Sequence, residues 1–316
     1  MNAPAGARLD ELGNRLYTWT GAGRVEEFYS VTTIIGMGIP KHLAPWAAKL
    51  VAELAYGDVL SHGPNSRASA IARRWARSGR VYIDAQRADG MKLAKADESP
   101  KGLALRYLKG QPDRVRDAAA QRGSAVHDEA ETFVLSRIRE GARMYAETGD
   151  LPDWHTDIAP HMAQFVAWLR AYRPRYIATE ATVYNRTQVY AGTGDAFIEI
   201  PINGRWTTLC LDYKSGRAIY PEVAIQTSAY AHGEFVGGAD RVTEYPVPKV
   251  DGTAVLHLTP RGYAFRLLRY DDAVWQSFLY AREIFRWAID ISKTALGEPI
   301  AQDVEDALVA SLEGVA

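Results

Sequence analysis

Gly192-Thr193-Gly194-Asp195, then Asn203-Gly204, then Leu211-Asp212-Tyr213-Lys214-Ser215-Gly216 is the stretch that decides how this chain is read. Val189 to Ile202 and Trp206 to Tyr213 are rich in β-branched and aromatic residues, and Asn203-Gly204 between them suits a tight hairpin turn. Asp195 and Asp212 lie eight residues before and eight after that turn, so pairing brings them to the same end of the hairpin. Asp212 and Lys214, two apart on a strand, point to one face. Two acids and a lysine thus converge beside the apolar run Leu209-Cys210-Leu211. Carboxylates this close repel unless a cation lies between them, and oxygen-rich sites of this kind suit Mg²⁺ or Mn²⁺. Such an ion lowers the pKa of a bound water, and a neighbouring lysine offsets charge in the transition state. This is equipment for phosphodiester hydrolysis.

Outward from the hairpin, Tyr176 to Thr187 reads as another strand. Pro221 to Phe235 reads as a helix, Val255–Leu258 with Tyr263–Leu268 as a second hairpin, and Asp271 to Ser292 as a long final helix. The N-terminal half reads as helical. Ser30 is placed to cap a short helix over Val31–Ile35, and Pro45 to open one running to about Tyr56. Arg67–Arg77, Asp113 to about Glu140 and Asp157 to Tyr172 follow, the last stopped by Pro174. The expectation is an α/β fold with a mixed sheet flanked by helices and a helical N-terminal region. Residues 1–112 would form that region and 113–316 the core, in one compact unit.

Composition narrows the function classes. The chain has 316 residues, 47% of them hydrophobic, enough for a substantial core. No apolar run approaches the length needed to cross a bilayer. Met1-Asn2-Ala3-Pro4 does not open a secretory signal, so a cytoplasmic protein without a membrane partner is expected. Cys210 is the only cysteine, which excludes a disulfide framework and a four-cysteine iron–sulfur or zinc site; a small buried hydrophobe is its expected role. Net charge is −1, yet Ser61 to Arg122 holds fourteen Lys/Arg against six Asp/Glu. A locally basic segment can follow a phosphate backbone within a neutral protein. Trp46, Trp75 and Tyr82 are candidates for stacking on bases.

Gly123-x-x-x-His127, Gly194-Asp195, Asp212-x-Lys214-x-Gly216 and Gln226-x-x-x-Tyr230 appear in that order. This pattern resembles the RecB-like branch of the PD-(D/E)xK nucleases: exonuclease V, the CRISPR-associated RecB-like nucleases and the mitochondrial genome maintenance exonucleases. Ser30–Ile35 with Pro45-Trp46 is similar to the opening segment of bacteriophage members. The resemblance implies a restriction-endonuclease-like core and a DNA nuclease, most simply an exonuclease, using Mg²⁺ or Mn²⁺. It implies His127, Asp195, Asp212 and the Tyr213 carbonyl as metal ligands, with Lys214 and Gln226 serving the attacking water. Gly123 would let the long helix approach closely. Glu180 would support the site from the preceding strand. Glu131 is either a surface acid or a partner for His127 or a second cation. Tyr230 packs toward DNA or the core, Ser215 offers a hydroxyl to a phosphate, and Arg122 joins the DNA-binding set. Partners would be DNA, with recombination or replication proteins. Without four cysteines no iron–sulfur cluster is expected, and no helicase-type phosphate loop is present. A non-cleaving nucleic-acid-binding or recombination subunit is the alternative, expected if an acid or the lysine were missing.

Overall fold

The computed structural model describes residues 7–10, 13–39, 48, 110–139, 151–299 and 308–311. The helix expected over Pro45–Tyr56 (apart from Ala48), that over Arg67–Arg77, Trp46, Trp75, Tyr82 and most of the basic segment lie outside these residues.

The chain opens with strands β1 (Ala7–Leu9), β2 (Arg15–Trp19) and β3 (Glu26–Ser30), followed by helix α1 (Val31–Gly38). Strands over residues 7–30 are a difference from the expected helical N-terminal region. The three strands, of three to five residues, are too short for alternation to betray them. Then come α2 (Gln111–Arg139), α3 (Ala159–Tyr172), β4 (Arg175–Asn185), β5 (Tyr190–Ile202) and β6 (Arg205–Lys214). Helix α4 (Glu222–Ala231), β7 (Phe235–Gly237), β8 (Glu244–Tyr245), β9 (Gly252–Thr259), β10 (Gly262–Leu268) and α5 (Asp272–Ile289) complete the core.

All ten of these strands belong to one mixed sheet. β5 lies between antiparallel partners β4 and β6, and β6 continues in parallel to β9, which pairs with β10. On the other side β4 leads to β7 and β8. β3 joins in parallel at the start of β5, through Tyr29–Tyr190 and Ser30–Ala191, so the N-terminal strands are part of the core sheet.

Alternation divides the core between the sheet's two faces. Ala196, Ile198 and Ile200 with Leu209, Leu211 and Tyr213 pack under α2 and α3, against Val126, Phe133, Met162 and Phe165. Phe197 and Cys210 point the other way, toward α1, α4 and α5, with Ile34, Tyr230 and Phe278. Cys210 is fully buried, as expected of a small core hydrophobe. Both faces being covered explains why the central strands read as nearly continuous apolar runs. The β5–β6 turn is of the type that Asn-Gly favours: Asn203 and Gly204 both have positive φ, 51° and 77°. Among the described residues no helix is long and apolar enough to cross a membrane.

Candidate metal centre

The hairpin register brings the two acids together. Ala196 pairs with Leu211, so the next step along the ladder sets Asp195 opposite Asp212. The backbone N–H of Tyr213 donates to Asp195 Oδ2 at 2.5 Å and fixes one side of that carboxylate. Its other oxygen faces His127, whose Nδ1 lies 3.3 Å from Asp195 Oδ1. His127 arrives on α2, which is anchored by the buried Val126, Ala130, Phe133 and Val134. The His127 ring meets the Tyr213 ring edge-on, with centroids 5.9 Å apart, and the Tyr213 hydroxyl is hydrogen-bonded to that of Tyr176 at 2.9 Å.

A third side chain completes this group from β4. Thr179 pairs with Ala196 and Ala181 with Gly194, which leaves Glu180 opposite Asp195 on the side away from Asp212. Glu180 has φ of 45°, an uncommon conformation for a non-glycine residue. His127, Glu180 and Asp195 each offer a ligand atom, and these lie within 4.8 Å of one another. The mixed imidazole and carboxylate donor set fits a divalent first-row or alkaline-earth cation.

Asp212 is 2% exposed and forms an ion pair with Lys214. It stands beside the His127–Glu180–Asp195 group rather than within it. Lys214 also lines a small cleft of about 140 Å³ with Gln226, Thr32 and Tyr220. Gln226 thus shares a cleft with the lysine, but its amide Nε2 donates to the Tyr230 hydroxyl at 3.0 Å. Tyr230 itself is buried against the sheet, in the core, one of the two places expected for it.

The electrostatics follow from burial and crowding. Burial opposes charge on His127, but the Asp195 carboxylate overcomes it and raises the imidazole to about 9. Burial likewise favours a neutral Asp195, and His127, Lys214 and the Tyr213 amide reverse that and hold it ionised. Asp212 is pushed up by burial, with Asp195 adding to the rise and Lys214 opposing it. Glu180 is raised to about 8, first by burial and then by Asp195. Carboxylates too crowded to ionise together are what a bound cation relieves.

The remaining expected residues are more peripheral. Glu131 is partly buried, and burial with Asp128 raises its pKa; it lines a larger cleft with Glu180 but is not within the three-residue group. Arg122 is exposed on α2. A methyl on Gly123 would stand 3.5 Å from Ser215 Oγ, an ordinary contact. The close approach expected to require that glycine is therefore not observed. Gly192 and Gly194, by contrast, border the Tyr230 ring: a Cβ would come within 2.6 Å and 3.3 Å of it, respectively. These glycines make room for the tyrosine beneath the acid-bearing end of β5.

No protein-family model matches the chain, and no curated protein sequence does. Among solved structures, one titled "Crystal structure of SSO0001" is similar at 15% identity over 53% of this chain and 70% of that one, with a TM-score of 0.25.

Proposed function

We propose that this protein is a metal-dependent deoxyribonuclease, acting as an exonuclease and leaving 5′-phosphate and 3′-hydroxyl ends. The observation that carries the reading is the convergence of His127, Glu180 and Asp195 beside the buried Asp212–Lys214 pair. His127, Glu180 and Asp195 would hold the ion, with Asp212 beside them as a further oxygen donor. A divalent cation bound there supplies Lewis acidity toward a phosphoryl oxygen and a lowered pKa for water. Asp195, pinned by Tyr213 and His127, keeps its carboxylate ionised at neutral pH. Lys214 offers a cation to charge that builds on the phosphate, while Asp212 holds its ammonium in place. Because a histidine nitrogen is among the donors, Mn²⁺ should serve at least as well as Mg²⁺.

The test is digestion of 5′- and 3′-end-labelled single- and double-stranded DNA with Mg²⁺ or Mn²⁺, with EDTA as control. Metal-dependent product ladders are expected from the parent protein and none from Asp212→Ala or Lys214→Ala. Equal cleavage by either variant would sink the site assignment. DNA binding without any metal-dependent cleavage would favour the non-cleaving subunit instead.

A further inference from the structure

Of the His127–Glu180–Asp195 group, Glu180 also forms part of the wall of a cleft of about 710 Å³. That volume falls within the usual range of small-molecule sites and has room for one nucleotide. Its two walls differ. The α2 and β4 wall carries Asp128, Glu131 and Glu180 together with threonine hydroxyls. The opposite wall is the β7–β8 hairpin, with Arg241 and Tyr245 facing the cleft.

That hairpin is held firmly. Gly238 N donates to Thr243 O at 2.8 Å, and the Asp240 carboxylate accepts from the Val242 and Thr243 amides. Thr20 Oγ1 donates to Arg241 O at 2.9 Å, and Trp19 Nε1 donates to Glu244 at 3.1 Å, tying the hairpin to the N-terminal strands. Arg241 is fixed in a left-handed conformation with φ of 59°. Such backbone strain persists only where the surroundings over-determine it. The Arg241 side chain is exposed and has no ion-pair partner among the described residues. Tyr245 is 55% exposed, and its ring lies over Gly238, where a Cβ would come within 3.2 Å of it.

A phosphate would be repelled by the carboxylate wall, whereas the amino groups of a base can donate to it. An aromatic shelf and an uncommitted cation on the other wall suit a base and its phosphate, in that order. We propose that this cleft seats the nucleotide adjoining the scissile phosphate, with Tyr245 stacking on its base and Arg241 neutralising its phosphate. The proposal rests on the nuclease reading above and adds where, and by what part, the substrate is gripped.

The experiment compares cleavage of an oligonucleotide with that of the same oligonucleotide made abasic on one side, then the other, of a defined scissile bond. Wild-type protein should show a KM about tenfold higher for one of the two abasic substrates, the size of one lost base stack. Tyr245→Ala should raise KM on the intact substrate by a similar factor and no longer distinguish it from the abasic one. Tyr245→Phe should restore the distinction, and Arg241→Ala should raise KM and reduce its salt dependence. If wild-type protein cuts all three substrates with equal KM, the cleft does not hold a base and the proposal fails while the nuclease reading stands. If wild-type protein cuts no DNA with either metal, both fail. The wild-type arm can overturn the proposal even where a hairpin variant folds poorly, and Tyr245→Phe, the mildest change, ties the base to this cleft.

Discussion

The ring of Tyr230 crosses the backbone of Gly192 so closely that a Cβ on that residue would stand 2.6 Å from Tyr230 Cε1. Tyr230 cannot retreat freely, because it is 3% exposed and its hydroxyl accepts from Gln226. Gly192→Ala should therefore destabilise the fold by about 1–3 kcal/mol, the usual cost of overpacking. Gly123→Ala should do the opposite: its methyl finds an ordinary contact, and helix propensity favours alanine by up to about 1 kcal/mol. Urea midpoints of the two variants, moving in opposite directions, check both statements.

The β5–β6 turn gives a cleaner backbone test. A Cβ on Gly204 would meet nothing within 4 Å, so only its positive φ distinguishes it from alanine. Gly204→Ala should cost about 1–2 kcal/mol through the left-handed conformation alone. Thermal unfolding of this variant should show a lowered midpoint, and a wild-type midpoint would mean the turn relaxes to another type.

Stability of the metal-free protein should fall as pH rises. His127, raised to about 9 from an ordinary value near 6.5, contributes stability that is complete below 6.5 and lost as pH passes 9. Glu180, raised to about 8, remains protonated in the folded state where the unfolded chain has already ionised, so its ionisation costs stability between about 4.5 and 8. Both signs agree: the folded state binds more protons through this window. In EDTA the melting temperature should decline from pH 6 to pH 9, and saturating Mg²⁺ should remove or reverse that decline. A flat profile in EDTA would contradict the pairing of His127 with Asp195.

Glu180 and Glu131 separate a ligand from a bystander. Glu180 belongs to the three-residue group and Glu131 does not. Glu180→Gln should abolish metal-dependent stabilisation and reduce cleavage by about 100-fold, the scale of losing one charged contact in a preorganised site. Glu131→Gln should change metal affinity by less than about threefold, as expected of a partly exposed acid outside the group. Titrating Mn²⁺ against both variants by calorimetry measures the difference directly.

Much of this site is legible in the chain because one turn sets its register. Asn203-Gly204 dictates a two-residue loop, and counting back from it puts Asp195 opposite Asp212. Glu180 is harder to read. Its position depends on the β4–β5 pairing, whose connection contains Val189 at φ of 54°, a conformation a β-branched residue rarely adopts. Asn185 heads that turn and accepts from the Gln188 amide at 2.7 Å, but no Asn-Gly pair gives its length away. The N-terminal strands and the β7–β8 hairpin escape for another reason: runs of two to five residues are too short for a period of two to stand out. Gln226 and Tyr230 show the limit of helical spacing, which puts them on one face but does not say that they bond to each other.

The short parallel seam between β3 and β5 also orders the protein's assembly. β4, β5 and β6 are neighbours in sequence and can pair as soon as they are made. β3 emerges from the ribosome long before Tyr190 does, and until then the edge it presents to β5 has no partner. An unpaired strand edge is a template for wrong pairing. The growing chain therefore carries an open strand edge through the synthesis of α2, α3 and β4, and slowing synthesis between β3 and β5 should increase its aggregation.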